Sequence, residues 1–210
     1  MTPTSSPATS ATGPQGCRLW IDGVGCWQLW FADTLTLGGG AAGQPCEADF
    51  GIQAALSRRH CQVMRSGEHY QLSTTGPAVI DGQPVTENVF LSSAANIRLG
   101  NDVQLSWTRP SILSRSAVLR ICSPHRPISS IDGVVLLADT LLIGSGAGVH
   151  ITCPRWTQPL VLFRRQDQLF CQPQPELELD GQRIKAPQPL THGSLISIGE
   201  LCARLEVVTP

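Results

Sequence analysis

The densest chemistry in the chain lies in four consecutive residues, Ser57-Arg58-Arg59-His60, set between Leu56 and the run Cys61-Gln62-Val63. A hydroxyl contributes a short, directed hydrogen bond, a guanidinium a planar fork of donors, and an imidazole one donor and one acceptor. Together at a loop-to-strand junction they suit an oxyanion, above all a phosphate dianion, which needs several donors at once. The Ser-x-x-His spacing also invites a nucleophile–base reading, a Ser57/His60 hydrolase. No positioned acid and no oxyanion loop accompany it, so no enzymatic activity is expected. Other signals are incomplete. Gly38 to Pro45 holds two P-loop glycines without the Lys and Ser/Thr that must follow. In Gly144-Ser145-Gly146-Ala147-Gly148-Val149, valine stands at the third glycine of a dinucleotide fingerprint. Cys17, Cys26, Cys46, Cys61, Cys122, Cys153, Cys171 and Cys202 form no C-x-x-C pair. They read as buried free thiols, and neither a metal site nor a cofactor is expected. His69, His125, His150 and His192 are isolated in the sequence.

The elements that must position these residues are strands. Cys17–Ile21, Cys26–Phe31, Leu35–Leu37, Cys61–Met64, Ala78–Ile80 and Val103–Trp107 are short apolar or alternating runs. Asp-Gly turns punctuate them at Asp22, Asp81, Asp132 and Asp180. That pattern predicts an all-β sandwich or barrel, and no segment carries a helical apolar stripe over three turns. With 15% charged residues and a net charge of −1, the chain lacks the basic footprint of a nucleic-acid binder. No apolar run is long enough to span a membrane. The first residues lack the charged and apolar regions of a secretory signal, so a cytoplasmic location is expected. Residues 1–15 are rich in Thr, Ser, Pro and Gly and read as a disordered tail, in which Thr2, Thr4, Thr9 and Thr12 would be accessible to a kinase.

The chain also resembles itself. Ala32-Asp33-Thr34-Leu35 matches Ala138-Asp139-Thr140-Leu141 at an offset of 106. Ile80-Asp81-Gly82-Gln83 matches Leu179-Asp180-Gly181-Gln182, and Ile97-Arg98-Leu99-Gly100 matches Ile196-Ser197-Ile198-Gly199, both at 99. Three matches in one order mark a tandem duplication of a module of about 95 residues. Repeat two has lost about seven residues between its Gly-x-Gly turn and its Asp-Gly-Gln hairpin, in loops that tolerate deletion. The sequence thus divides into 16–109, a connector at 110–116, and 117–209, with Ser116–Cys122 opening repeat two as Cys17–Ile21 opens repeat one. The stretch Arg109–Arg126 reads as a linker with solvated arginines, or else as a dock for an acidic partner.

The order Leu37-Gly38-Gly39, Ser57-Arg58-Arg59-His60, Thr75-Gly76, Asp81-Gly82 and Ile97-Arg98-Leu99-Gly100 resembles that of the forkhead-associated (FHA) domain over about residues 17–107. The resemblance implies two tandem FHA-like (SMAD/FHA-type) β-sandwiches of mostly antiparallel strands, and a bacterial-type signalling adaptor that binds phosphothreonine peptides. Carried over residue by residue, Ser57 and Arg58 are the phosphate ligands, with Arg59, Thr75 and Arg65 as auxiliary contacts. His60 braces the loop, and Gly38 and Gly76 shape its neighbours. The implied partner is a phosphorylated protein or peptide, not a nucleic acid or a membrane. The chain departs from the family where Gly-Arg becomes Gly38-Gly39 and where Asn before Gly becomes Thr75 before Gly76. In repeat two, Trp156 stands for Ser57, Pro159 for His60, Gly144-Ser145 for Gly-Arg, and Pro173-Gln174-Pro175-Glu176 for the Thr-Thr-Gly loop. Those replacements remove every phosphate ligand, leaving a structural partner or a protein contact through Trp156 and Arg164-Arg165. The rival reading for the whole chain is a phosphate-independent scaffold.

Overall fold

The computed structural model describes residues 15–111 and 113–207, so Thr2, Thr4, Thr9 and Thr12 of the tail lie outside it. Every regular element among these residues is a strand. The first half contains β1 (Gly16–Ile21), β2 (Gly25–Trp30), β3 (Thr34–Gly39), β4 (Phe50–Ile52), β5 (Cys61–Ser66), β6 (His69–Thr74), β7 (Ala78–Ile80), β8 (Gln83–Pro84), β9 (Val89–Leu91), β10 (Ala94–Leu99) and β11 (Val103–Thr108). The second half contains β12 (Ala117–Ile121), β13 (Gly133–Leu136), β14 (Thr140–Gly144), β15 (Ile151–Thr152), β16 (Leu160–Arg165), β17 (Gln168–Cys171), β18 (Leu177–Leu179), β19 (Gln182–Arg183), β20 (Gln188–Pro189), β21 (Leu195–Ile198) and β22 (Leu201–Val207). The protein is all-β, and its strands pair antiparallel except for β2–β13, β3–β4 and β14–β15.

Segments that match in sequence also make matching hydrogen bonds. Asp81 and Gly82 take φ of 47° and 83°, and Asp180 and Gly181 take 53° and 78°. These are tight hairpin turns that need positive φ at both central positions, which Asp-Gly supplies. The Asp81 carboxylate accepts from the Asn96 N–H and that of Asp180 from the Leu195 N–H, both at 2.8 Å. Likewise the Arg65 N–H donates to Asp33 O and the Arg164 N–H to Asp139 O, each at 2.7 Å.

The opening hairpins are exchanged between the halves. β1 pairs with β22, the last strand of the second half, and β12 pairs with β11, the last strand of the first. Strand pairing therefore crosses the 110–116 connector in both directions. β2 and β13 then run parallel side by side and join the halves into one twelve-stranded sheet. A central parallel pair must be apolar on both faces. Val134 and Leu136 enter one core with Leu35, Val63, Tyr70 and Trp107. Val135 and Leu137 enter the other with Leu19, Leu29, Leu141 and Leu160. Because alternate residues of β13 serve different cores, the cores lie on opposite faces of the shared sheet. Each core is closed by a five-stranded sheet, β4-β3-β5-β6-β9 for the first half and β15-β14-β16-β17-β20 for the second. Gly133 is needed where β13 meets β2: a Cβ there would lie 2.6 Å from the Trp27 ring.

Arg120 and Arg126 of the connector are exposed, whereas Arg115 is half-buried and paired. Arg115 forks onto Asp139 at 2.9 and 2.6 Å, which holds that carboxyl below its usual range. Arg120 lies 4.9 Å over the Trp27 ring, and the Arg126 carbonyl accepts from the Gln53 N–H at 2.9 Å. All eight cysteines are free thiols. Cys17, Cys26, Cys61, Cys153 and Cys171 are buried as expected. Cys46 and Cys202 are half-buried and Cys122 is exposed, so those three do not act as core residues.

Candidate functional site

Three loops meet at one end of the first half: the end of β3, the turn before β5, and the turn between β6 and β7. Backbone bonds tie them together. The Gly39 N–H donates to Ser57 O at 2.9 Å, the His60 N–H to Leu37 O at 2.8 Å, and the Thr75 N–H to His60 O at 2.9 Å. His60 is 2% exposed and bridges two of the loops with its ring. Its Nδ1 accepts from the Ser57 N–H at 3.3 Å, which leaves Nε2 to donate to Pro77 O at 3.0 Å. This assigns the neutral Nε2–H tautomer. The Thr75 hydroxyl donates to Arg59 O at 2.6 Å, adding a side-chain tie between the same loops.

The glycines here answer to space. A Cβ on Gly76 would lie 2.6 Å from His60 Nδ1 and 2.9 Å from Nε2. On Gly38 it would run into Arg58 O, and on Gly39 it would sit 2.5 Å from Leu56 O and 2.9 Å from Ala54 O. The Ser57 loop lies flat against the end of β3 because both residues there lack side chains. Gly39, which stands where the FHA pattern has arginine, is thus enforced by packing.

The braced loop presents its polar groups outward. Ser57, Arg58 and Arg59 are all exposed. Among the described residues, neither Ser57 Oγ nor the Arg59 guanidinium has a hydrogen-bond or ion-pair partner. Arg58 is engaged: its Nη1 donates to Glu47 Oε1 at 2.7 Å, and this carboxylate raises the already high pKa of the guanidinium. Glu47 was not singled out by sequence reasoning. It sits in the β3–β4 connection, the place where most of the repeat-two deletion falls. Leu37 to Phe50, paired across β3 and β4, spans thirteen positions, whereas the matching Ile143 to Ile151 spans eight. Arg59 and Thr75 share a cavity of about 190 Å³ with Thr36, Gln62 and Ser73.

Arg65 is not brought to this site. It lies at the far end of β5, with its side chain 12% exposed and bonded to the Asp33 carboxylate. It lies six positions along the chain from Arg59, at most roughly 20 Å at about 3.3 Å per residue.

At the equivalent place in the second half, the Ser145 N–H donates to Trp156 O at 3.0 Å, the counterpart of the Gly39–Ser57 bond. Trp156 is 2% exposed and Pro159 stands at the position of the bracing imidazole, so the positions matching Ser57 and His60 supply neither an outward hydroxyl nor a brace. Arg164 is not a free contact residue. Its Nη1 donates to Phe31 O at 2.6 Å and its guanidinium lies 5.0 Å over the Phe31 ring, clamping the end of the exchanged first hairpin.

No family model and no curated protein matches the chain. Three solved structures do. The FhaA FHA domain complexed with the intracellular domain of Rv3910 is 24% identical over 40% of this chain and 91% of its own, at a TM-score of 0.29. The Rv0020c FHA structure is 25% identical over 45% and 91%, also at 0.29. The N-terminal FHA domain from EssC, a component of the bacterial Type VII secretion apparatus, is 10% identical over 92% and 93%, at 0.27.

Proposed function

We propose that this protein is a non-enzymatic adaptor that binds phosphothreonine peptides through the loops around Ser57, as the FHA-like motif order implies. The observation that carries the reading is a rigid loop with outward donors. The unpartnered Ser57 hydroxyl and the Arg58 and Arg59 guanidiniums stand exposed on a turn whose base is pinned by a buried imidazole. A preorganised set of charge-assisted donors is what a phosphate dianion recognises. His60 has both ring nitrogens engaged in holding loops, which supports a bracing role over that of a general base.

A phosphate-independent scaffold is the second reading, favoured by the Glu47 carboxylate on Arg58 and by the absence of an arginine at Gly39. Calorimetry of the full chain against paired degenerate libraries centred on Thr or phosphothreonine separates the two. The phosphorylated library alone should bind. Ser57→Ala should weaken it about 10- to 100-fold, since a hydrogen bond to a charged group is worth roughly 1.5–3 kcal/mol. Equal binding of both libraries, or binding of neither, would overturn the proposal in favour of the scaffold.

A further inference from the structure

The outer face of the first half's five-stranded sheet carries a polar row beside the Ser57 loop. Leu35, Leu37, Cys61, Val63 and Leu72 enter the core. Thr36, Gln62 and Ser73, which alternate with them along β3, β5 and β6, therefore face outward. The register sets the three side by side, Thr36 opposite Gln62 and Gln62 opposite Ser73. With Arg59 and Thr75 they line the cavity of about 190 Å³ next to the loop. That volume is below the range of small-molecule clefts and suits a single side chain.

Two features point to an anionic occupant. Thr36 is 4% exposed, yet its hydroxyl has no hydrogen-bond partner among the described residues and is not sealed off by protein, so it opens into the cavity it lines. Around it stand the Gln62 amide, the Ser73 hydroxyl and the Arg59 guanidinium, also without partners among the described residues. The Asp49 carboxylate accepts from the Thr36 backbone N–H at 2.8 Å, and no carboxylate lines the cavity. Neutral donors around one guanidinium match an oxyanion of single charge, whereas a phosphate dianion exceeds that charge. The second feature is a contrast between the halves. In the second half the same row begins with Leu142 opposite Val161, and Gln158 stands for Arg59. The sheet thus forms with apolar residues at these places, and folding does not require the polar ones.

We infer that this cavity takes an aspartate or glutamate carboxylate of the bound peptide, so that the protein selects phosphothreonine with an acidic residue close by. The carboxylate accepts from the Thr36 and Ser73 hydroxyls and the Gln62 amide, and pairs with Arg59. Arg58 and Arg59 are consecutive, which sets the acidic residue within a few positions of the phosphothreonine. The inference rests on the phosphopeptide reading for the neighbouring phosphate and names the residue class that flanks it.

The test titrates the full, ¹⁵N-labelled chain with three degenerate peptide libraries. The first has central phosphothreonine and flanks without Asp or Glu, the second has phosphothreonine with acidic flanks, and the third has unphosphorylated Thr with the same acidic flanks. The parent should bind the second about tenfold or more tightly than the first, the scale of a hydrogen bond to a charged group. The double variant Thr36→Val/Gln62→Val keeps every charge, so it should bring the two within about threefold. Its loss of the Gln62 side-chain amide resonances assigns them in the parent, where the second and third libraries should shift them and the first should not. Circular dichroism checks its fold, and Ser73→Ala carries the same test should the double variant unfold. Equal binding of the two phosphorylated libraries by the parent, or a preference for acidic flanks that the variant retains, would overturn the inference. If neither phosphorylated library binds, the phosphate reading fails by itself. The third library then decides the cavity: shifted Gln62 amide resonances support it, and unmoved ones overturn it.

Discussion

Placing at Gly39 the arginine of the FHA pattern is the obvious way to strengthen the proposed phosphate site, and the packing around Gly39 predicts that it fails. A Cβ at this position meets Leu56 O at 2.5 Å and Ala54 O at 2.9 Å, both backbone atoms that no rotamer change can move. To reach ordinary contact, the Leu56 backbone must retreat by about 0.9 Å. That retreat breaks or stretches the 2.9 Å bond from the Gly39 N–H to Ser57 O, which holds the proposed phosphate ligand in place. Overpacking of this kind costs roughly 1–3 kcal/mol. At about 2–4 °C per kcal/mol for a chain of this size, both Gly39→Ala and Gly39→Arg should lower the melting temperature by about 2–12 °C. The two variants share the clash and differ in charge, so similar melting temperatures assign the loss to packing. Differential scanning calorimetry measures the melting temperature, and titration with the phosphothreonine library measures binding. Gly39→Arg should bind no more tightly than the parent. A Gly39→Arg variant that melts within about 1 °C of the parent and binds tenfold more tightly would refute the reasoning.

Glu47→Gln removes the carboxylate from Arg58, so phosphopeptide binding should tighten, with the gain shrinking as salt rises; unchanged affinity at low ionic strength would count against a competing role for Glu47. Burial holds His150 at about 4, whereas the unfolded chain titrates near 6.5. Below pH 6.5 the unfolded state takes up a proton that the folded state refuses. This contribution, complete above pH 6.5, is therefore lost as pH falls toward 4, amounting to about 3 kcal/mol. Urea unfolding of the parent and His150→Gln over that range should show a pH dependence that the variant lacks. Leu19, fully buried in β1, belongs to the second-half core, so Leu19→Ala should cost about 2–5 kcal/mol and raise amide exchange in β22. Exchange raised only in β3 to β11 would contradict the hairpin exchange.

Much of the molecule is legible before folding. Short alternating runs and Asp-Gly turns announce strands and hairpins, because side-chain period and positive φ are local requirements. The repeat predicts equivalent bonds, and Asp81 and Asp180 make them to residues spaced alike. The polar loop Ser57–His60 is also readable, since its donors lie within four consecutive residues. The continuous apolar run Val134-Val135-Leu136-Leu137 is what a strand buried on both faces looks like.

What sequence alone determined, then, is the strand pattern, its repetition, and which loop carries the donors. Tertiary structure decided the partners. β1 and β12 are both short apolar strands able to continue either half's sheet, and nothing local says which. The choice depends on two cores sharing β2 and β13 across more than a hundred residues. Glu47 and Arg58 are eleven positions apart with no motif joining them, and Arg65 is drawn to Asp33 by the register of β5 against β3. Gly39 reads as a missing arginine in the sequence; only the Leu56 carbonyl lying 2.5 Å from its absent Cβ shows that the position is filled by backbone. Local pattern encodes conformation, whereas contact between distant groups is set by how the whole chain packs.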